Sequence, residues 1–136
     1  MNLTEILAII FVHFITDFIF QDEKCALAKS KNFIDLLNHT TMYSIIWFIF
    51  GILILTSIDN INTIIKYNPG DIILFTFITF IFHTITDFFT SKIVSKKFEN
   101  KHYGSAIPNF GAFTLIGFDQ VLHYIQLFVT YCILFK

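Results

Sequence analysis

A chain of 136 residues that is 55% hydrophobic, only 14% charged and +0.70 in mean hydropathy carries too little polar surface to cover a water-soluble globule. Its net charge of −1 offers no concentrated basic face, which excludes nucleic acid as the natural partner. What remains is a single integral membrane domain, residues 1–136, with the lipid bilayer as its first partner.

Four apolar segments, at about 3–20, 33–58, 71–91 and 110–135, match the roughly 20 helical residues that cross a hydrocarbon core. They predict an all-α, four-helix transmembrane bundle. The first segment lacks the basic start and small-residue cleavage site of a signal peptide and contains His13 and Asp17, so it is expected in the mature protein. Cys25 lies in a polar stretch and Cys132 near the end of an apolar one, so no disulfide is expected. The 19 phenylalanines suit lipid-facing and helix-packing surfaces rather than chemistry.

There is no arginine, and the nine lysines are unevenly placed. Lys24, Lys29 and Lys31 fall between the first two segments and Lys92, Lys96, Lys97 and Lys101 between the last two; only Lys66 and Lys136 fall on the other side. The positive-inside rule then puts the first and third connections in the cytoplasm and both termini outside. The third connection, 93–109, carries the basic cluster and closes with Gly104, Pro108 and Gly111, a composition suited to lying along an anionic inner leaflet.

The sequence also repeats. His13-Phe-Ile-Thr-Asp17-Phe18 recurs as His83-Thr-Ile-Thr-Asp87-Phe88, and segments one and three run in the same direction. This predicts two repeated helical hairpins related by an axis along the membrane normal, with a site at their interface.

Each segment carries a His and an Asp four residues apart: His13 with Asp17, Asp35 with His39, His83 with Asp87, and Asp119 with His123. Such pairs share a helix face. Random placement of these residues gives about 0.7 such pairs, and four occur. The order reverses between inward-running and outward-running segments, as it must if like residues are to meet, and predicts two layers ~6 Å apart with Asp nearer the cytoplasm.

An Asp at the centre of a lone membrane helix costs on the order of 2.5–3.5 kcal/mol. With no Lys inside the apolar segments, protonated His or a bound ion must supply the positive charge, and imidazole with carboxylate is the ligand set of zinc, iron or manganese. The candidate ligands for one or two divalent ions are His13, Asp17, His39, His83, Asp87, Asp119 and His123, with Asp17, Asp87 or Asp119 left as general base. Gln21 extends the His13 stripe by one turn and Gln120 neighbours Asp119, so both are candidates to support the ligands. Lys29 and Lys92 could neutralise an anionic group at the site mouth, although the positive-inside rule explains lysines there without a site. Asp35 suits the first turn of a helix for dipole reasons alone, and His102 is expected to be solvated.

The pattern His13-x-x-x-Asp17-Phe18-x-x-Gln21, then Lys29, Leu37-x-His39, His83-x-x-x-Asp87 and Phe118-Asp119-Gln120-x-x-His123 runs along nearly the whole chain. In it the chain resembles the small bacterial and phage integral membrane proteins catalogued as domain of unknown function number thirty-three hundred and seven. Asp35 is outside that pattern. The resemblance implies a bacterial inner (plasma) membrane and, through the family's distant similarity to predicted membrane-bound metal-dependent hydrolases, hydrolytic chemistry. The leading expectation is a metal-dependent hydrolase acting on a phosphoester or lipid-linked substrate at the cytoplasmic leaflet, an anionic lipid or phosphorylated molecule being the partner. The alternatives are a proton or divalent-cation transporter, a di-iron oxidoreductase, and a structural protein whose His/Asp pairs only fix helix packing. Transport fits least well, because stretches 45–55 and 72–82 are almost wholly apolar.

Overall fold

The computed structural model describes residues 1–21, 23–57, 68–107 and 110–135, and among these there is helix and no strand. Helix α1, Leu3–Phe14, continues into a π-helical turn, Ile15–Ile19; α2 is Glu23–Ala28, α3 Phe33–Ser57, α4 Pro69–Glu99 and α5 Ala112–Leu134. The proposed end of the second segment at residue 58, together with Lys66, Pro108 and Lys136, lies outside the described residues.

Among the described residues, three helices, α3, α4 and α5, are long and apolar enough to cross a membrane. Segment 3–20, expected as a fourth crossing, is shorter: at ~1.5 Å per residue, α1 with its π turn covers roughly 25 Å against a hydrocarbon core of ~30 Å. Its start is set by a reciprocal capping box, in which Asn2 Oδ1 accepts from the Glu5 amide (2.9 Å) and Glu5 Oε2 accepts from the Asn2 amide (2.7 Å). In the π turn, Thr16 Oγ1 lies against the carbonyls of Val12 (2.9 Å) and His13 (3.0 Å), and the Phe20 amide donates to Ile15 O five residues back (2.9 Å).

Helix α4 begins at Pro69, capped by Asn68, whose side chain accepts from the Gly70 amide (3.0 Å). It runs two turns beyond the expected end at 91, because apolar character stops there while helix-forming residues continue to Glu99. Lys92, Lys96 and Lys97 are therefore helical, not part of a long loop. The helix stops where Lys101 takes a left-handed conformation, φ 58°. The chain then folds back so tightly that a Cβ on Gly111 would lie 2.6 Å from Gly104 Cα, while Ala112 N donates to His102 O (2.6 Å) and starts α5.

Helix α1 packs on α3 and α5, α3 on α4, and α4 on α5, while short α2 lies against α3. The resulting molecule is apolar outside and polar inside. Leu3, Phe11, Phe77 and Ile133 are exposed, whereas His13, Asp17, His39, His83, Asp87 and His123 are buried. Water would penalise both features, and a hydrocarbon surrounding favours them. Along the interior, an apolar plug of Ile9, Val12, Trp47, Phe75 and Leu127 is followed by Tyr43, then by the histidines, then by the acids.

Candidate metal centre

Helical spacing carries His13 and Asp17 from α1 and its π turn, His83 and Asp87 from α4, and His123 from α5 to the interior, with Asp119 half-buried beside them, while α3 supplies His39 alone. Asp35 stays half-buried at the start of α3, accepting from Asn32 Nδ2 (2.8 Å), so its expected partnership with His39 does not form. With Asp35 held by Asn32, His39 reaches instead into the level of the carboxylates of the other helices. Its Nε2 lies 3.3 Å from Asp17 Oδ1 and 3.2 Å from Asp87 Oδ2. The two separate layers expected from spacing are thus interleaved.

At the centre, His39 Nε2 and His83 Nε2 are 3.1 Å apart, and Asp17 Oδ1 is 3.3 and 3.6 Å from them. Asp87 Oδ2 lies 3.2 and 3.7 Å from the same two nitrogens. Ligands at the ~2.0–2.1 Å bond lengths of tetrahedral zinc stand roughly 3.3 Å from one another, so each of these separations suits atoms that share one ion. Asp17 Oδ1 is moreover buried and accepts no hydrogen bond, although two imidazoles face it. A buried carboxylate oxygen without a donor is a place for positive charge, which a metal ion or a protonated His39, 3.3 Å away, would supply.

Surrounding bonds fix which lone pairs are available. His123 Nε2 is hydrogen-bonded to Asp87 Oδ1 at 3.2 Å, and a carboxylate only accepts, so that nitrogen carries a proton. His83 Nδ1 and His123 Nδ1 are 3.1 Å apart, so one of them donates to the other; with His83 as the donor, its Nε2 lone pair is left aimed at Asp17 and His39. Tyr43 stacks on the His83 ring at 3.8 Å and 9°, holding its plane. His13 is differently used: its Nδ1 pairs with Tyr43 Oη and its Nε2 with Gln120 Oε1, both at 2.7 Å. Gln120 Nε2 donates to Asp17 Oδ2 (3.1 Å) and Asp119 Oδ2 (3.2 Å). Both His13 nitrogens are thereby engaged by protein, and His13 lies outside the two groups that could hold an ion, Asp17 with His39 and His83, and His83 with Asp87 and His123.

Lys29, next to α2, changes the expected charge balance. Its ammonium donates to Asp87 Oδ2 (2.8 Å) and Gln21 Oε1 (3.4 Å) and lies 3.5 Å from His39 Nε2. The reading that only His or a metal can neutralise the acids is therefore corrected: a lysine from the connection reaches them. Burial works against this ammonium, but Asp87 and Asp17 outweigh it and hold its pKa above the usual lysine value. Lys92 instead lies over the Phe88 ring, 3.4 Å from its centroid, and His102 is exposed.

Position alone did not single out Tyr43, Thr90 or Ser91. Each is three or four residues from a member of the cluster, Tyr43 from His39 and the others from Asp87, so the helical stripe was the available signal. Thr90 donates to Asp119 Oδ1 at 2.6 Å. Beside the acids opens a cavity of about 350 Å³, bounded by the π turn, α2, α4 and α5.

Fold and site together define an all-helical chain with membrane-compatible helices and a buried His/Asp cluster that could hold a metal ion. Comparison of the chain with protein-family models, with curated proteins and with solved structures returns no match.

Proposed function

We propose that this protein is a membrane-embedded, metal-dependent hydrolase working at the cytoplasmic leaflet, and that α1 completes a four-helix transmembrane bundle with α3, α4 and α5. The observation that carries the reading is Asp17 Oδ1, buried without a donor and 3.3 and 3.6 Å from His39 Nε2 and His83 Nε2. Two imidazoles and one carboxylate leave a coordination position open, the arrangement of catalytic rather than structural zinc and also of ferrous iron centres. Here a divalent ion would supply Lewis acidity and lower the pKa of the attacking water. The remaining roles fall to side chains. Asp87, held by Lys29 beside that open position, is the general base. Hydrolysis adds water across the scissile ester: the water oxygen joins the central atom, and its proton passes by way of Asp87 to the departing oxygen. His123 and Asp119 orient Asp87 and His83, and Gln120 ties His13 to Asp17.

Transport is disfavoured by the apolar cluster of Val12, Trp47, Phe75 and Leu127 beyond the histidines, where the polar side chains are a short chain of Gln126 with Thr79 and Thr130 and the hydroxyl of Ser44. Membership of the bacterial and phage family that the motif resembles, the duplicated hairpin, outward termini and an inner-membrane location belong to the same proposal. Its test is metal content: detergent-purified protein is expected to hold an ion that the His39→Ala, His83→Ala variant lacks. Folded wild-type protein without an ion would overturn it.

A further inference from the structure

The cavity beside the cluster has a chemistry of its own. Its lining combines Asp17, Asp87, Asp119 and Lys29 with the apolar Phe18, Val94, Phe98 and Ile116. Ser91 also lines it, and its Oγ is buried without a hydrogen-bond partner. Three carboxylates against one ammonium leave the lining two negative charges in excess, which repels any anion until a divalent ion is bound. Binding of that ion at His39 Nε2 also frees Lys29. Of the three ammonium protons, two have Asp87 and Gln21 as acceptors, and the third has only His39 Nε2 at 3.5 Å. Once the lone pair of His39 is on the metal, that third N–H is left without an acceptor among the described residues, in a cavity that Ser91 also lines.

We propose that this cavity is a metal-dependent binding site for a phosphate monoester group, held by Lys29 and Ser91 beside the ion, with the apolar lining receiving whatever the phosphate is attached to. The proposal rests on the metal reading above. Two sources share this chemistry, the phosphate head of a membrane lipid and a soluble phosphate, and the apolar lining makes a lipid the better fit.

The test uses full-length protein in detergent micelles loaded with Mn²⁺, whose paramagnetism broadens the ³¹P resonance of any phosphate bound beside it. Inorganic phosphate and a short-chain phosphatidic acid are titrated separately, and bound Mn²⁺ is measured in every sample. Wild-type protein is expected to broaden the phosphate signal, and the Mg²⁺-blocked or metal-free protein is not. Lys29→Met, with Mn²⁺ retained, should bind phosphate about tenfold or more weakly, the usual worth of a charge-assisted hydrogen bond. Ser91→Ala, a milder change that serves if Lys29→Met fails to fold, should weaken it about threefold or more. Tighter binding of phosphatidic acid than of inorganic phosphate identifies the lipid source, and equal binding the soluble one. Mn²⁺-loaded protein that binds neither probe, or variants that bind both as wild type does, would overturn the cavity assignment while leaving the metal centre standing. Absence of bound Mn²⁺ would overturn the metal centre itself.

Discussion

Asp17 is where the physical argument is tightest. Its Oδ2 accepts from Gln120 Nε2 at 3.1 Å while its Oδ1 faces only imidazole nitrogens, so the two oxygens have different work. Asp17→Asn keeps the size and removes the charge, and we expect at least about a hundredfold loss of metal affinity, beyond the 10–100-fold typical of an outer hydrogen-bond partner. Gln120→Leu should fall inside that outer range, since it only orients Asp17, Asp119 and His13; competition with a chelating dye distinguishes the two. Lys29 gives a pH prediction. Its folded pKa is raised, so its ionic contribution is fully present below the ordinary lysine value of about 10.4 and is lost only as pH rises through the higher folded value. Lys29→Met should therefore lower stability by on the order of 3 kcal/mol across neutral pH, because Asp87 loses its ammonium partner. The difference from wild type should shrink only in strong alkali, as followed by thermal unfolding in detergent. A difference that vanished near pH 7 would contradict the pairing.

Among the elements, what could be read in advance and what could not have separate physical causes. The i, i+4 spacing of His and Asp depends only on helix geometry, and α4 buries both members of its pair while α5 buries His123 and leaves Asp119 half-buried on the same face. The π turn depends on hydrogen bonds that Thr16 makes to the carbonyls of Val12 and His13, and no periodicity encodes them. Nor did hydropathy reveal how far α4 continues, since its last turns are polar yet helix-forming. Lys29 was legible as a lysine beside a membrane but not as a partner of Asp87, because a flexible four-carbon stem does not report its reach. Asp35 had correct spacing and a wrong surrounding: at the start of α3 it meets Asn32 instead of the interior. The π turn carries its own prediction. Thr16→Val should cost about 1 kcal/mol of stability and reduce metal affinity by misdirecting Asp17, whereas Thr76→Val, which removes a hydrogen bond to the Ile72 carbonyl two turns from His83, should cost similar stability and leave affinity unchanged. Equal affinities in both variants would mean that the turn does not aim the carboxylate.

For the molecule as a whole, an apolar exterior around a polar interior is what a bilayer demands, and the interior is itself graded from an apolar plug to an open polar end. That gradient gives a one-sided site rather than a pathway. Proteoliposomes should accordingly show no flux of protons or divalent cations above protein-free vesicles, and flux that disappeared in His83→Ala would restore the transport reading. The most direct test of the central claim remains the ion. Elemental analysis of folded, detergent-purified protein should find about one zinc, iron or manganese ion per chain, and less than about a tenth of that in the His39→Ala, His83→Ala variant. Wild-type protein that is helical and monodisperse yet holds no more metal than the variant would contradict the account.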